Sequence, residues 1–506
     1  MHSALNSVIT YIHGDGLVIL PEMELLLFGL GILIFDFMLE KKEKYFNAIL
    51  ALVGVAASGV GVYMQVQKYN DVRTNPAGPQ ALLGFHDTVV VDGFFIVFAI
   101  LFLAATALVI LLSVRYMDLE REREGEFYAL ILFACIGMMF MASGIDLIVL
   151  FLGLETMALS FYVLTGFLRA NKRSNEAAMK YLLLGAFSTG ILAYGFSLLY
   201  GMSMGSTNIG EIGNVLEKRL RYTFAHGYTD WLVILAFVTV ATGLFFKVAA
   251  VPFHQWAPDV YEGAPTPITT YISVASKTAS FALLLRLMLF VFYASQATWV
   301  FLIAGVAIAS LTWGNLAALT QTNLKRLLAY SSISHVGYIL LGLVAGNATG
   351  LTGMIYYLIA YGFMTMGAFA VVIVMRQRGI IGDNLDDLDG LYQRNPAAAL
   401  LLLIFMLSLA GIPPTAGFVG KYFIFQALIE THHPVLAVFA ALYIVPALYY
   451  YFRVVVHAWM KTPGEAPAPH MSSAQAIALG VALFVTLAAG LYPEPFTRLA
   501  RYAFGQ

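Results

Sequence analysis

Cysteine is almost missing from this 506-residue chain, with Cys135 standing alone. Its scarcity excludes an internal disulfide and every multi-cysteine zinc or iron–sulfur site. Charge is scarce as well, at 11% of residues against about 25% in soluble chains. The formal balance of −1 gives no electrostatic reason to expect nucleic acid or a basic face for anionic lipid. The ten histidines show no His-Glu-x-x-His spacing, and no Gly-x-Gly-x-x-Gly follows a strand. Gly420-Lys421 fails as a phosphate loop because Tyr422 stands where Ser or Thr is needed. No metal, redox centre or nucleotide is therefore expected in the chain itself. Asp15, Glu22 and Glu24 surround the first apolar run, which does not read as a positively charged signal-peptide start. Apolar residues, in contrast, make up 60% of the chain, against roughly 45–50% in soluble proteins.

A bilayer-spanning helix needs about 20 mostly apolar residues. Fourteen runs qualify, at about 17–39, 45–67, 91–113, 126–142, 145–168, 177–202, 231–251, 264–293, 299–320, 326–345, 350–376, 397–430, 435–460 and 474–492. The expected fold is an all-α polytopic membrane protein, since ten-residue alternating segments are absent and open sheet edges cannot face lipid. With the N-terminus outside, 17 of the 28 Lys and Arg fall in cytoplasmic loops, 7 in outer loops and 4 within spans. The cytoplasmic set includes Lys41, Lys42 and Lys44, then Arg115, Arg121 and Arg123, and later Arg376, Arg378 and Arg394. This bias predicts both termini on the side away from the cytoplasm.

Span 12 is irregular. From Pro396 to Glu430 it runs about 34 residues, or about 51 Å as one helix, which is too long for a core of about 30 Å. A helix interrupted at Gly411-Ile412-Pro413-Pro414 and Gly417 fits better. Span 7 has a related feature, with Lys247 five residues before Pro252. Broken helices at bilayer depth survive where protein or water satisfies the freed backbone, and in transporters they mark ion sites. Spans 7 and 12 are five apart, so spans 4–8 and 9–13 would be inverted repeats; the plainer reading is two proline kinks. The implied divisions are a three-span region (1–125), the first repeat (126–293), the second (299–460), and a linker with the last span (461–506).

A charge at the bilayer centre costs about 2.5–3.5 kcal/mol on the insertion scale, so each buried one demands a reason. Glu155 lies in span 5, Lys247 in span 7, Lys277 in span 8, His335 in span 10 and Lys421 in the second half of span 12. Structural readings exist for each. Glu155 and Lys247 could form a static ion pair, Lys277 could snorkel, His335 could be a neutral core residue, and Lys421 could satisfy carbonyls freed by the break. Arg286 reads as a snorkelling interfacial residue, and Asp36, Asp92 and Asp146 as end or cap residues. Arg121 to Glu124 reads as a solvated loop, Asp383 to Asp389 as a cytoplasmic surface, and Thr462 to Pro469 as an exposed linker. Gly342, Gly346 and Gly350 read as close packing. The functional reading makes the five buried groups a proton relay. Burial and neighbouring charge together decide whether a lysine holds its proton. Thr156, Ser276, Thr278, Tyr330, Ser331, Ser332 and Ser334 could order water along it.

Three stretches carry a resemblance. They are Phe246 to Pro267, with Lys247, Pro252, His254, Trp256 and Glu262-Gly263-Ala264-Pro265; Asn323 to Ser332; and Gly411 to Phe418. They are similar to the signatures of the antiporter-like membrane subunits of respiratory complex I, the NADH–quinone oxidoreductase. The similarity extends over nearly the whole chain. Leu154 to Leu164, Met179 to Phe187 and the lysine at 421 resemble the N branch, since the M branch is expected to carry glutamate there. The L branch would be longer, with a lateral amphipathic helix after its last span, whereas this chain stops at Gln506. The resemblance implies two inverted five-helix units and a proton channel through Glu155, Lys247, Lys277, His335 and Lys421, with breaks at Pro252, Pro413 and Pro414 and His254 as a candidate for proton access. It implies a translocase in the cell inner membrane, with NADH, FMN, iron–sulfur clusters and quinone handled by partner subunits. Those partners would be a neighbouring M subunit, small subunits such as K, the lateral helix of L, and lipids. A multi-subunit cation/proton antiporter or a membrane-bound hydrogenase shares the architecture, and a purely structural scaffold is the third class. Lys247 precedes its proline whereas Lys421 follows the pair at 413–414, so the two half-channels do not superpose residue for residue.

Overall fold

The computed structural model describes residues 15–40, 43–74, 81–120, 125–377, 382–463 and 468–505. Lys41, Lys42, the run Arg121 to Glu124, Arg378 and the linker centre at 464–467 lie outside the described residues. The N-terminal region holds α1 (Leu20–Asp36), α2 (Phe46–Arg73), an antiparallel hairpin of β1 (Leu82–Gly84) and β2 (Val89–Val91), and α3 (Gly93–Glu120). Next come α4 (Gly125–Ser143), α5 (Leu147–Thr165), α6 (Lys172–Met202), the amphipathic α7 (Ile209–Ala225), α8 (Trp231–Val248), the short α9 (Trp256–Gly263) and α10 (Thr266–Val291). The rest comprises α11 (Tyr293–Ala318), α12 (Leu324–Ala345), α13 (Ala348–Met375), α14 (Pro396–Ala410), α15 (Ala416–Glu430), α16 (Pro434–Met460), α17 (Ser473–Leu491) and α18 (Glu494–Tyr502).

Twelve of the described helices are long and apolar enough to cross a membrane, so the chain is a multi-pass, all-helical membrane protein. The 17-residue α1 and the 15-residue halves α14 and α15 are individually shorter. Several helix starts follow short polar side chains that accept amide protons otherwise left without partners. Asp146 accepts from Ile148 N at 2.8 Å, Asn323 from Arg326 N at 3.0 Å, and Asn347 from Gly350 N at 2.7 Å. Asp146 is thus the cap expected of it. Three helices form the interior: the apolar windows of α10, α12 and α13 are 89%, 94% and 94% buried within the protein, against 28% for α16. Lys277 and His335 sit on two of these enclosed helices.

Both interrupted helices break by the same backbone device. α8 ends at Val248, Ala249 turns left-handed (φ 60°), and the Val251–Pro252 peptide is cis before α9 begins. α14 ends at Ala410, Gly411 turns left-handed (φ 86°), and Pro413–Pro414 is cis before α15. A left-handed residue ends a helix by directing the next amides back onto its last carbonyls. A side chain at Gly417 would collide with the Ser408 carbonyl oxygen, so only glycine permits that approach. In the first break the Trp256 indole donates to Phe246 O at 2.8 Å. In the second the Lys421 ammonium donates to Ala410 O at 2.8 Å and Leu409 O at 3.3 Å.

Arg286 corrects one expectation. It does not snorkel: at 2% exposure it forks onto Asp92 (2.7 and 2.9 Å) and donates to Ala142 O (3.0 and 2.8 Å). The reason is local, because the end of α4 presents freed carbonyls and the start of α3 presents a carboxylate. Asp92 also caps α3, accepting from Phe95 N at 2.8 Å. Of the spaced glycines, Gly346 is a left-handed helix cap (φ 64°), while Gly342 and Gly350 pack so closely that a methyl on Gly342 would lie 2.9 Å from Gly350 O.

Candidate functional site

The enclosed ionisable groups lie on five helices. Lys247 occupies the last turn of α8, is 3% exposed, and donates to the Tyr162 hydroxyl at 3.4 Å. Glu155 precedes Tyr162 by seven residues on α5; its Oε1 is buried without a hydrogen-bond partner. The static Glu155–Lys247 ion pair is therefore not formed, and the tyrosine stands at the lysine instead. Tyr162 in turn meets Tyr181 edge-on (centroids 4.8 Å), and Tyr181 stacks on Trp256 at 4.7 Å. A side chain at Gly185 would strike the Tyr162 ring, with Cζ 2.7 Å away. Asp230 caps α8 from outside the membrane segment. Burial would raise its pKa, but the Arg219 guanidinium and the amides of Val233 and Leu232 hold it below the usual aspartate value.

Lys277 begins the α-helical stretch after a π-helical turn, Ile272–Ser276, in the middle of α10. Such wide turns recur at functional sites. Lys277 is 1% exposed and donates to Ser332 Oγ at 2.5 Å, with its ammonium 5.6 Å from the Tyr261 ring centroid. It does not reach either surface, so the snorkelling reading fails. The neighbouring Ser331 hydroxyl is hydrogen-bonded to the Tyr451 hydroxyl of α16. Tyr451 then lies 3.1 Å from His335 Nε2, and Tyr357 of α13 lies 2.8 Å from His335 Nδ1. Tyr357 packs on Gly420, next to Lys421, and stacks on Tyr338 (6.3 Å). The Lys421 ammonium sits 4.9 Å from the Tyr338 ring centroid. It also caps α14, so the structural role suggested for it is present.

Thus a hydrogen-bonded row runs Ser331–Tyr451–His335–Tyr357, and Lys277 is held by Ser332 beside it. Lys421 lies by the Tyr338 ring next to Tyr357, and Lys247 meets Tyr162 separately. Thr156, Thr278 and Ser334 do not bridge these groups: Thr156 and Thr278 bond carbonyls of their own helices, and Ser334 accepts from Asn315 at 2.8 Å. His254 lies in the first break, with Nδ1 unpartnered and its ring 5.8 Å from Trp313, apart from the convergent set. The residues that sequence reasoning missed are Tyr162, Tyr357 and Tyr451. With 28 tyrosines in the chain, no spacing singles these out. Also missed is an ionic cluster where α9 meets α6 and α12. There Asp259 accepts from Lys180 (2.8 Å) and Arg326 (2.7 Å), and Glu262 from Arg326 (3.0 Å). Asp386, Asp389 and His457 could also offer ligand atoms within 4.8 Å, but His457 and Asp389 already pair at 2.6 Å.

Comparison with known proteins identifies the family. The profile of the family described as NADH:quinone oxidoreductase/Mrp antiporter, TM, matches residues 143–445. The chain is 52% identical over 97% of its length, and 95% of the relative's, to NADH-quinone oxidoreductase subunit N 1 of Koribacter versatilis (strain Ellin345). Among solved structures it superposes on a chain of respiratory complex I from Thermus thermophilus with bound aureothin (TM-score 0.77, 31% identity, 95% of this chain and 99% of that one). It shares the fold of a chain of the Mrp complex from Dietzia sp. DQ12-45-1b (TM-score 0.82, 20% identity, 97% and 96% covered). With helices, breaks and relatives in agreement, the chain belongs to the NADH:quinone oxidoreductase/Mrp antiporter membrane family and, within it, to the subunit N group of NADH–quinone oxidoreductase.

Proposed function

We propose that this chain carries protons across the cell inner membrane as a subunit of NADH–quinone oxidoreductase, through Glu155, Lys247, Lys277, His335 and Lys421. The observation that carries the reading is the set of titratable side chains enclosed among α10, α12, α13 and the two broken helices, three of them, Lys247, Lys277 and His335, each meeting serine or tyrosine hydroxyls. An inert scaffold gains nothing from three lysines at a depth where each charge costs about 2.5–3.5 kcal/mol. Pro252, Pro413 and Pro414 open the helices so that backbone and side chains share the proton path, and His254 in the first break is its access point. NADH, FMN, iron–sulfur clusters and quinone belong to partner subunits, and this chain holds no redox centre of its own.

In this reading α1 and the α14–α15 pair complete fourteen spans, and both termini face the periplasm, as the lysine and arginine bias requires. The shared break device, five spans apart, supports inverted repeats over 126–293 and 299–460, preceded by 1–125 and followed by 461–506. The flanking partners are an M-type antiporter-like subunit, small subunits such as K, and the lateral helix of L. The cation/proton antiporter reading shares the fold, but the Mrp chain is 20% identical against 52% for the subunit N relative. Two measurements test the proposal. Purifying the native assembly should return flavin and iron–sulfur subunits beside this chain. Lys247→Ala should abolish proton movement with assembly intact; unchanged pumping would remove Lys247 from the path.

A further inference from the structure

We infer that Tyr451 and Tyr357 are themselves proton carriers, the two hydroxyls through which a proton enters and leaves the His335 ring. The inference rests on the relay reading above and adds the groups that touch the imidazole. Both ring nitrogens are occupied: Nε2 by the Tyr451 hydroxyl at 3.1 Å and Nδ1 by the Tyr357 hydroxyl at 2.8 Å. These hydroxyls come from different helices, α16 and α13, so their meeting on one ring belongs to the tertiary fold. A neutral imidazole offers one N–H and one lone pair, and a hydroxyl can donate and accept. The ring is therefore held between two groups that suit either tautomer. Two partners satisfy any buried imidazole; that both are hydroxyls, each able to donate and accept, makes a through-path.

The step balances without any co-reactant. The Tyr451 hydroxyl passes its proton to Nε2 and takes a replacement from Ser331, to which it is already hydrogen-bonded. Ser331 is reprotonated in turn from the Lys277 ammonium by way of Ser332 and intervening water. The Nδ1 proton passes to the Tyr357 oxygen, which releases its own proton through water toward Lys421 in its neutral amine form, so that Lys421 gains the proton Lys277 has lost. Each oxygen ends with one proton, and the ring gains one and loses one. The path resets when the hydroxyls rotate and the ring returns to its first tautomer. Upstream, Ser331 adjoins Ser332, which Lys277 holds at 2.5 Å. The buried Tyr261 and Tyr361 hydroxyls border the same stretch and can order water there. Downstream, Tyr357 lies on Gly420, one residue from Lys421.

The test uses the intact NADH–quinone oxidoreductase complex in liposomes, with NADH-driven proton uptake as the readout. Tyr451→Phe and Tyr357→Phe keep the ring and remove only the oxygen. Each is expected to slow pumping about tenfold, the equivalent of about 1.4 kcal/mol for a hydrogen bond lost from the transfer step. His335→Gln should slow it at least as much, and Tyr451→Phe combined with His335→Gln no further than His335→Gln alone. Tyr356→Phe, whose hydroxyl donates to Ala489 O of α17 at 2.6 Å, should pump normally. Assembly is verified by co-purifying subunits, and if one tyrosine variant fails to assemble the other decides. Normal pumping by Tyr451→Phe and Tyr357→Phe, with His335→Gln impaired, overturns the hydroxyl path and leaves the relay standing. Normal pumping by His335→Gln overturns both.

Discussion

Lys421 is predicted to have two separable roles, and substitution can part them. Its ammonium donates to Ala410 O at 2.8 Å and Leu409 O at 3.3 Å, closing the end of α14 beside the break. Lys421→Met leaves both buried carbonyls short of a donor. An unpaired buried acceptor costs about 1–3 kcal/mol, and the longer Leu409 contact contributes less than the shorter one. Relief from burying a charge offsets part of this, so the net loss is expected near 2 kcal/mol, roughly a 30-fold change in the folding equilibrium. Lys421→Arg keeps donors at the same carbonyls and is expected to stay within about 1 kcal/mol, although Gly411 lies close against the side chain. Arginine cannot release its proton, so this variant should still stop pumping. The assays are thermal unfolding of the purified complex and proton uptake by liposomes at matched NADH oxidation. Wild-type pumping by Lys421→Arg would refute the proton-carrying role; wild-type stability of Lys421→Met would refute the capping argument.

Three further outcomes follow from contacts elsewhere. Gly185→Ala sets a methyl against the Tyr162 ring, displacing the hydroxyl that meets Lys247, and should lower the pumping rate while the complex still assembles. Arg286→Met strands Asp92, which is only partly buried, and should cost about 3 kcal/mol, read as a lower unfolding temperature and yield. Adding Asp92→Asn should recover much of that loss; no recovery would show that the pair is not what fastens α3 to α10. Asp259→Asn removes the carboxylate shared by Lys180 and Arg326 and should make pumping less sensitive to salt concentration, measured from 0.01 to 0.5 M.

Much of this arrangement was legible before any coordinates. Charges in an apolar run announce themselves, because nothing else in a lipid-embedded sequence tolerates them, and Lys247, Lys277 and Lys421 are all buried as expected. The interruption at 411–414 was legible because the run was too long for one membrane crossing. Arg286 was misread because position along a run tells depth but not whether a carboxylate waits on another helix. The tyrosines were invisible for a different reason: a tyrosine suits a membrane interface, a core or a hydrogen-bonded path equally well. Only the meeting of α12, α13 and α16 distinguishes Tyr357 and Tyr451. The π-helical turn before Lys277 left no mark in a stretch, Ile272–Ser276, whose residues also suit an ordinary helix.

The two interrupted helices are fastened by different chemistry, and the difference has a mechanical consequence. An indole holds its clasp on Phe246 whatever the acidity around it. The clasp on Ala410 is tied by an amine, which grips carbonyl oxygens hardest while it carries charge. In the proposed relay, loss of that amine's proton would slacken the joint between Ala410 and Ala416, whereas the joint between Val248 and Trp256 would stay shut. Of the two breaks, the second would thus yield as a proton leaves and the first would hold.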